Sequence, residues 1–123
     1  MLFDRTNKLQ GCHPKLFNLV HLMSEHMDLI VVCGHRNQPE QDAAFARGAS
    51  KLKYPNSKHN SVPSKAVDIA PCSPNGSSID WNDIERFKDM MELAKSMAAA
   101  LNIEIVCGGD WTMKDYPHIQ IVG

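Results

Sequence analysis

Apolar residues recur at helical spacing through HPKLFNLVHLMSEHM, at Leu16, Leu19, Val20, Met23 and Met27. They share one side of a helix whose first turn tolerates Pro14. DLIVVCG follows, a short unbroken apolar run closed by an acid and a glycine, as in a strand. NQPEQDAAFARG reads as a second helix. Asn37 or Gln38 caps it, Pro39 lies in its first turn, acids follow, and Gly48 ends it. From Ala49 to Lys65 the periodicity disappears among prolines, serines and asparagines. A loop of that length in a small protein usually carries function. AVDIAP is a short strand stopped by Pro71, and CSPNGSSID is a turn. Asp80 or Asn82 then caps the longest helix, from about Asp83 to Leu101, with Ile84, Phe87, Met91, Ala94, Met97 and Leu101 along its apolar side. IEIVCGG and HIQIV are two closing strands, the second strictly alternating. Strands this close together imply an antiparallel pair. The pattern predicts an α+β fold over residues 1–123, a small, mainly antiparallel sheet with helices packed against it.

Composition changes that picture little. The chain has 43% hydrophobic and 22% charged residues and a formal net charge of -1, so nothing calls for a nucleic-acid partner. No apolar run approaches the length of a bilayer span, and MLFDRTNKLQ lacks the apolar stretch of a signal peptide. The expectation is a monomer made in a cytosol, with no membrane anchor. Cys12, Cys33, Cys72 and Cys107 form no paired motif, so all four read as free thiols, and Cys33 and Cys107, which end apolar runs, read as small buried hydrophobes. Charge is more informative. No acid lies between Asp42 and Asp68, whereas Arg47, Lys51, Lys53, Lys58 and Lys65 all do. Such a run is either a solvated loop or a landing surface for an anion.

The chemistry-bearing residues are few. KDYPHIQIVG holds Asp115 and His118 at a strand entrance, stiffened by Pro117. His59 lies in the long loop, in SKHNS, and Asp68 lies between apolar neighbours in AVDIA. Taken singly, each has an ordinary surface or structural role open to it. Together they offer a His, Asp, His donor set, the number of protein ligands a catalytic zinc ion takes. HExxH, the common zinc-protease signature, is absent. His13, His21, His26 and His35 read as structural or surface residues.

SKHNSVPSKAVDIAP followed by GGDWTMKDYPHIQI resembles the two motifs of the zinc D-Ala-D-Ala peptidase family. That family includes vancomycin-resistance carboxypeptidases and dipeptidases and the phage L-alanyl-D-glutamate endolysins. GHRNQPEQ is similar to its upstream segment, and the likeness runs from about Cys33 to the C-terminus. The resemblance implies the hedgehog-like fold of that family, with Zn2+ on His59, Asp68 and His118. It implies Asp115 as general base, Arg36 as the cation facing the developing oxyanion, and Ser57 as a substrate contact. Gln41 and Trp111 are further candidates for the cleft wall. The implied substrate is the peptide stem of bacterial peptidoglycan, cut between L-alanine and D-glutamate. The implied setting is an endolysin made in the host cytoplasm that acts on the cell wall after membrane permeabilisation. The alternatives are a D-Ala-D-Ala carboxypeptidase or dipeptidase, and a non-catalytic zinc-binding module that recognises the wall. The chain departs from the family in two places. The interval from His59 to Asp68 is longer than usual, with Val62, Pro63 and Ser64 where a glycine is common, and Asp115 stands where many members have glutamate.

Overall fold

The computed structural model describes residues 1–123. The strands are β1 (Leu2–Phe3), β2 (Leu29–Cys33), β3 (Ala66–Pro71), β4 (Ile105–Cys107) and β5 (His118–Ile121). The helices are α1 (Pro14–Ser24), α2 (Gln38–Ala46) and α3 (Ile84–Ala100). Single 3-10 turns occur at Lys8–Gly11, Lys58–Asn60 and Gly108–Asp110. All five strands form one sheet in the order β1-β2-β3-β5-β4. Only β1 and β2 run parallel; the other pairs are antiparallel. The expected α+β arrangement is what forms, with one edge strand that the pattern did not suggest. Two residues are too few to show alternation, and β1 is held by its partner and by Met1, whose ammonium pairs with Asp28 at 3.1 Å.

Local chemistry sets the helix ends. His13 caps α1 by accepting from the Lys15 amide, and Pro14 opens the first turn. At α2, Asn37 accepts from the Glu40 amide while Glu40 accepts from the Asn37 amide, a reciprocal capping box. At α3 the cap is Asp83, which accepts from Arg86 N at 3.2 Å; Asp80 and Asn82 instead lie in the turn before it. The buried stripe of α3 is Phe87, Met90, Met91, Ala94 and Ala98. Ile84 and Leu101, expected on that stripe, sit at its ends and are exposed. A helix end projects past the sheet it covers, so terminal apolar residues lose their cover first.

Helices α1 and α3 pack on each other, α3 also against β3 and β4 and α1 against β5. Leu16, Leu19, Val20 and Met23 of α1 are fully buried there. They join Val67 and Ile69 of β3 and Ile119 and Ile121 of β5 in a common core. With a side-chain period of two, burying those residues on the helix side turns Asp68 and His118 to the opposite side of the sheet. The register places them directly across from one another, Asp68↔His118 on β3 and β5.

On the other flank of β3 the ladder slips. Val31 pairs with Ile69, yet Cys33 rather than Val32 pairs with Asp68. The extra residue is a β-bulge, a device that bends a strand and re-aims the side chains beyond it. Here it brings Cys33, and the Gly34–Arg36 segment after it, to the side of the sheet that carries Asp68.

Ile119 is 1% exposed and adjoins His118. Ile119→Ala is expected to lower stability by about 2–5 kcal/mol. Urea unfolding should show an earlier midpoint with the same slope.

Candidate metal centre

Three elements deliver three donors. His59 sits on the Lys58–Asn60 turn, His118 opens β5, and Asp68 is in the middle of β3. Asp68 Oδ1 lies 3.3 Å from His59 Nε2 and 3.2 Å from His118 Nδ1. The ring centroids of the two histidines are 5.2 Å apart.

The tautomers follow from the partners on the outer nitrogens. His59 Nδ1 is 2.7 Å from the Gly34 carbonyl, which can only accept, so Nδ1 carries the proton and donates. His118 Nε2 lies 2.8 Å from Gln120 Oε1 and donates there. The lone pairs of His59 Nε2 and His118 Nδ1 are therefore turned inward, towards Asp68. With His59 neutral, its Nε2 and Asp68 Oδ1 are buried and have no hydrogen-bond partner. Leaving two buried polar atoms unsatisfied costs about 1–3 kcal/mol each. Inward lone pairs around a carboxylate oxygen, with outer nitrogens fixed by carbonyl acceptors, suit a divalent cation at their centre. The residues fit a metal.

The neighbours hold this geometry. Arg36 approaches the other oxygen, Asp68 Oδ2, at 3.6 Å, which leaves Oδ1 for the histidines. Its Nη1 donates to Gln41 Oε1 at 3.2 Å, and its backbone amide donates to the His59 carbonyl at 2.8 Å. Gln41 is fully buried and also donates to Ser50 and to the Leu52 carbonyl. Asn60 donates both to Gln41 and to the Arg36 carbonyl, and accepts from the Ser57 amide. Ser57 Oγ in turn accepts from the His59 amide at 3.2 Å. Two glycines are required by close approach. A Cβ on Gly34 would lie 2.4 Å from the Lys8 carbonyl oxygen, and one on Gly108 would lie 2.3 Å from the Asp115 carbonyl oxygen.

Asp115 stands at the rim. Its amide donates to the Gly108 carbonyl and its own carbonyl accepts from the His118 amide, so a tight turn joins acid and histidine. Its carboxylate is 3.9 Å from His118 Nδ1 and about half exposed. Burial, and then the charge of Asp68, raises its pKa above the ordinary value. Burial also opposes charge on Asp68 and His59, but their mutual attraction prevails. The two imidazoles hold the Asp68 carboxyl well below the usual range. Against the pull of burial, the hydrogen bond and charge of Asp68 lift His59 to about 10.

Arg36, Ser57, His59, Asp68, Asp115 and His118 all border one cleft of about 400 Å³. Trp111 borders it too, its ring 5.0 Å from that of His118. Gln41 does not; it lies behind the wall as the buried hub of the hydrogen bonds above. A larger cavity of about 570 Å³, lined by His35 and Lys8 among others, meets the site only along its Cys33–Arg36 edge and holds no converging donors of its own. His13 and His21 lie elsewhere, one capping α1 and the other against Phe17.

Cys33 departs from expectation. All four cysteines are free, and burial pushes the Cys12 thiol up to about 12 and Cys107 up to about 11, which keeps both neutral. Cys33, expected to be a buried hydrophobe, is only half-buried and stands at the site. Its donor atom and those of His59 and Asp68 all lie within 4.8 Å of one another, a group that can hold a metal ion. The thiol donates to the Gly34 carbonyl at 3.6 Å and is 3.9 Å from His59 Nδ1. Nothing in the run LIVVC distinguished it from a core residue, because its position depends on the bulge. Asn60 was also hidden, although Ser57 and Asn60 at capping-box spacing were a local sign.

Residues 3–121 match the family model described as phage L-alanyl-D-glutamate peptidase. The L-alanyl-D-glutamate peptidase of Escherichia phage T5 is 34% identical over 94 residues, 76% of this chain and 66% of that protein. The chain thus aligns with just under two thirds of that relative. The crystal structure of the Serratia marcescens L-Ala D-Glu endopeptidase ChiX shares the fold with a TM-score of 0.82. That match covers 99% of this chain and 90% of the other, at 25% identity.

Because His59 stays protonated up to about pH 10 without a metal, uptake of a divalent ion near neutral pH should release about one proton. Apparent affinity should therefore rise with pH and level off above that value. Titration calorimetry in buffers of different ionisation heat reads the proton directly. Identical heats in every buffer would mean that His59 is already neutral.

Proposed function

The chain belongs to the phage L-alanyl-D-glutamate peptidase family, and from that membership we propose that it is a zinc endopeptidase of bacterial peptidoglycan. Residues 1–123 form the catalytic unit, and the bond cut is the amide between L-alanine and D-glutamate in the peptide stem. His59, Asp68 and His118 hold the zinc. The observation that supports this most is the pair of buried, partnerless atoms, His59 Nε2 and Asp68 Oδ1, with His118 Nδ1 turned to the same point.

Cys33 competes with His118 for the third place. Its sulfur lies on the Nδ1 side of the His59 ring, where the proton is committed to Gly34. An ion on the Nε2 lone pair sits across the ring from that sulfur, on the His118 side. The ligand set is therefore two histidines and one aspartate, with the thiol behind it.

When bound, zinc supplies Lewis acidity, bringing the pKa of a water from ~15.7 to about 7 and polarising the scissile carbonyl. The side chains do the rest. Asp115 accepts the proton of the attacking water and returns it to the leaving nitrogen. Its raised pKa suits a group that must both take and give. Its partial exposure lets a shorter acid than glutamate approach the substrate. Arg36 orients Asp68, and its charge opposes the negative charge that builds on the carbonyl oxygen. Ser57 sets the His59 turn and borders the space the stem occupies.

No helix is long and apolar enough to cross a membrane. The five residues assigned to the zinc and the chemistry converge within a single chain, and we take the enzyme to act as a monomer. On this reading the protein is made in the host cytoplasm and meets the wall once the membrane has been permeabilised.

Asp115→Ala is expected to keep its zinc while kcat falls by about 10²–10⁴. Mass spectrometry of digested peptidoglycan should find new D-glutamate amino termini for the parent only. Free D-alanine with intact stems would point to a carboxypeptidase, and full activity in the variant would remove Asp115 from the mechanism. Metal analysis separates the two donor sets. Cys33→Ser should retain about one zinc per chain and His118→Ala should lose it; the reverse would make Cys33 the ligand.

A further inference from the structure

We propose that Lys114 selects substrates by reading a free carboxylate on the residue that leaves, an inference that rests on the endopeptidase reading and extends it to specificity. The cleft carries more positive charge than its chemistry uses. Apart from Arg36, it is bordered by Lys51, Lys58 and Lys114, whereas its only acids are Asp68 and Asp115, both assigned to the reaction. All three lysines are exposed, and none forms an ion pair. Lys88 and Lys95 of α3, by contrast, meet Glu85 at 3.7 Å and Asp110 at 3.0 Å. Three uncompensated cations around one opening attract an anion.

The scissile amide is neutral, so the anion must lie beside it. D-Glutamate carries two carboxyl groups; continuing the chain uses one and leaves the other free. When the chain continues through the side-chain carboxyl, the free one is the α-carboxylate, its carbon about 2.5 Å from the leaving nitrogen. That nitrogen receives its proton from Asp115. The α-carboxylate therefore comes to rest beside Asp115, and Lys114, the adjacent residue, also borders the cleft. Lys58 adjoins His59 in the chain and Lys51 lies earlier in the same loop, so neither neighbours Asp115 in sequence. Those two draw the stem in; Lys114 contacts the group that distinguishes one stem from another. Converting that carboxylate to a carboxamide removes the charge without changing its size, so the enzyme discriminates against amidated stems.

The test uses two synthetic peptides that differ only there. Each contains L-alanyl-D-glutamate continued through the side-chain carboxyl, one with a free α-carboxylate and one with an α-carboxamide. The zinc-loaded parent should cleave the free acid about fivefold better in kcat/KM, as an exposed charge pair allows, chiefly through KM. Added salt should narrow the gap. Lys114→Gln should bring the ratio close to one, Lys114→Arg should restore it, and Lys58→Gln should leave most of it. Equal cleavage of both peptides by the parent, or an unchanged ratio in Lys114→Gln, overturns the inference while the endopeptidase stands. Cleavage of neither peptide overturns both.

Discussion

One carboxylate organises the molecule. Asp68 is half-buried in the central strand with its Oδ1 fully covered, an imidazole from each side turned towards that oxygen and a guanidinium near Oδ2. A carboxylate in that position is stable only if its charge is met, and Arg36 meets it at Oδ2 while two neutral rings add no charge at Oδ1. In the metal-free protein a proton on His59 supplies positive charge at Oδ1, which is why that ring binds protons so tightly. A divalent cation supplies it more fully. The same constraint that makes the strand costly to fold gives it affinity for metal.

Much of the surrounding structure fixes angles around that point. Pairing with β5 aligns His118, and the bulge in β2 turns the Cys33–Arg36 segment towards the same side. The Gly34 carbonyl selects the His59 tautomer, and Gln120 selects that of His118. Behind them, Gln41 and Asn60 tie α2, the His59 turn and the Ser50–Leu52 loop into one hydrogen-bonded unit. Substitutions there act on the site without touching substrate.

The periodic parts of this plan were readable from residues alone. Three helices and four strands stand where apolar spacing put them, because each buries a continuous face against the others. His59, Asp68, His118, Asp115 and Arg36 meet at one cleft, and motif order pointed to that meeting. What was not legible depends on register or on distant partners. β1 has only two residues, and its pairing is fixed by β2. Cys33 looked like the end of a core strand because a bulge leaves no mark in an apolar run. Gln41 looked like a possible wall residue, yet its amide is consumed by four partners contributed from Arg36 to Asn60. The lysines of the long loop were ambiguous until the cleft showed Lys51 and Lys58 at its border and Lys53 over the Phe45 ring instead.

X-ray absorption at the zinc edge of the loaded protein tests the centre most directly. Two imidazoles and one carboxylate give a first shell of nitrogen and oxygen alone, at about 2.0–2.2 Å. A sulfur scatterer near 2.3 Å would put Cys33 on the metal and contradict the assignment of His118.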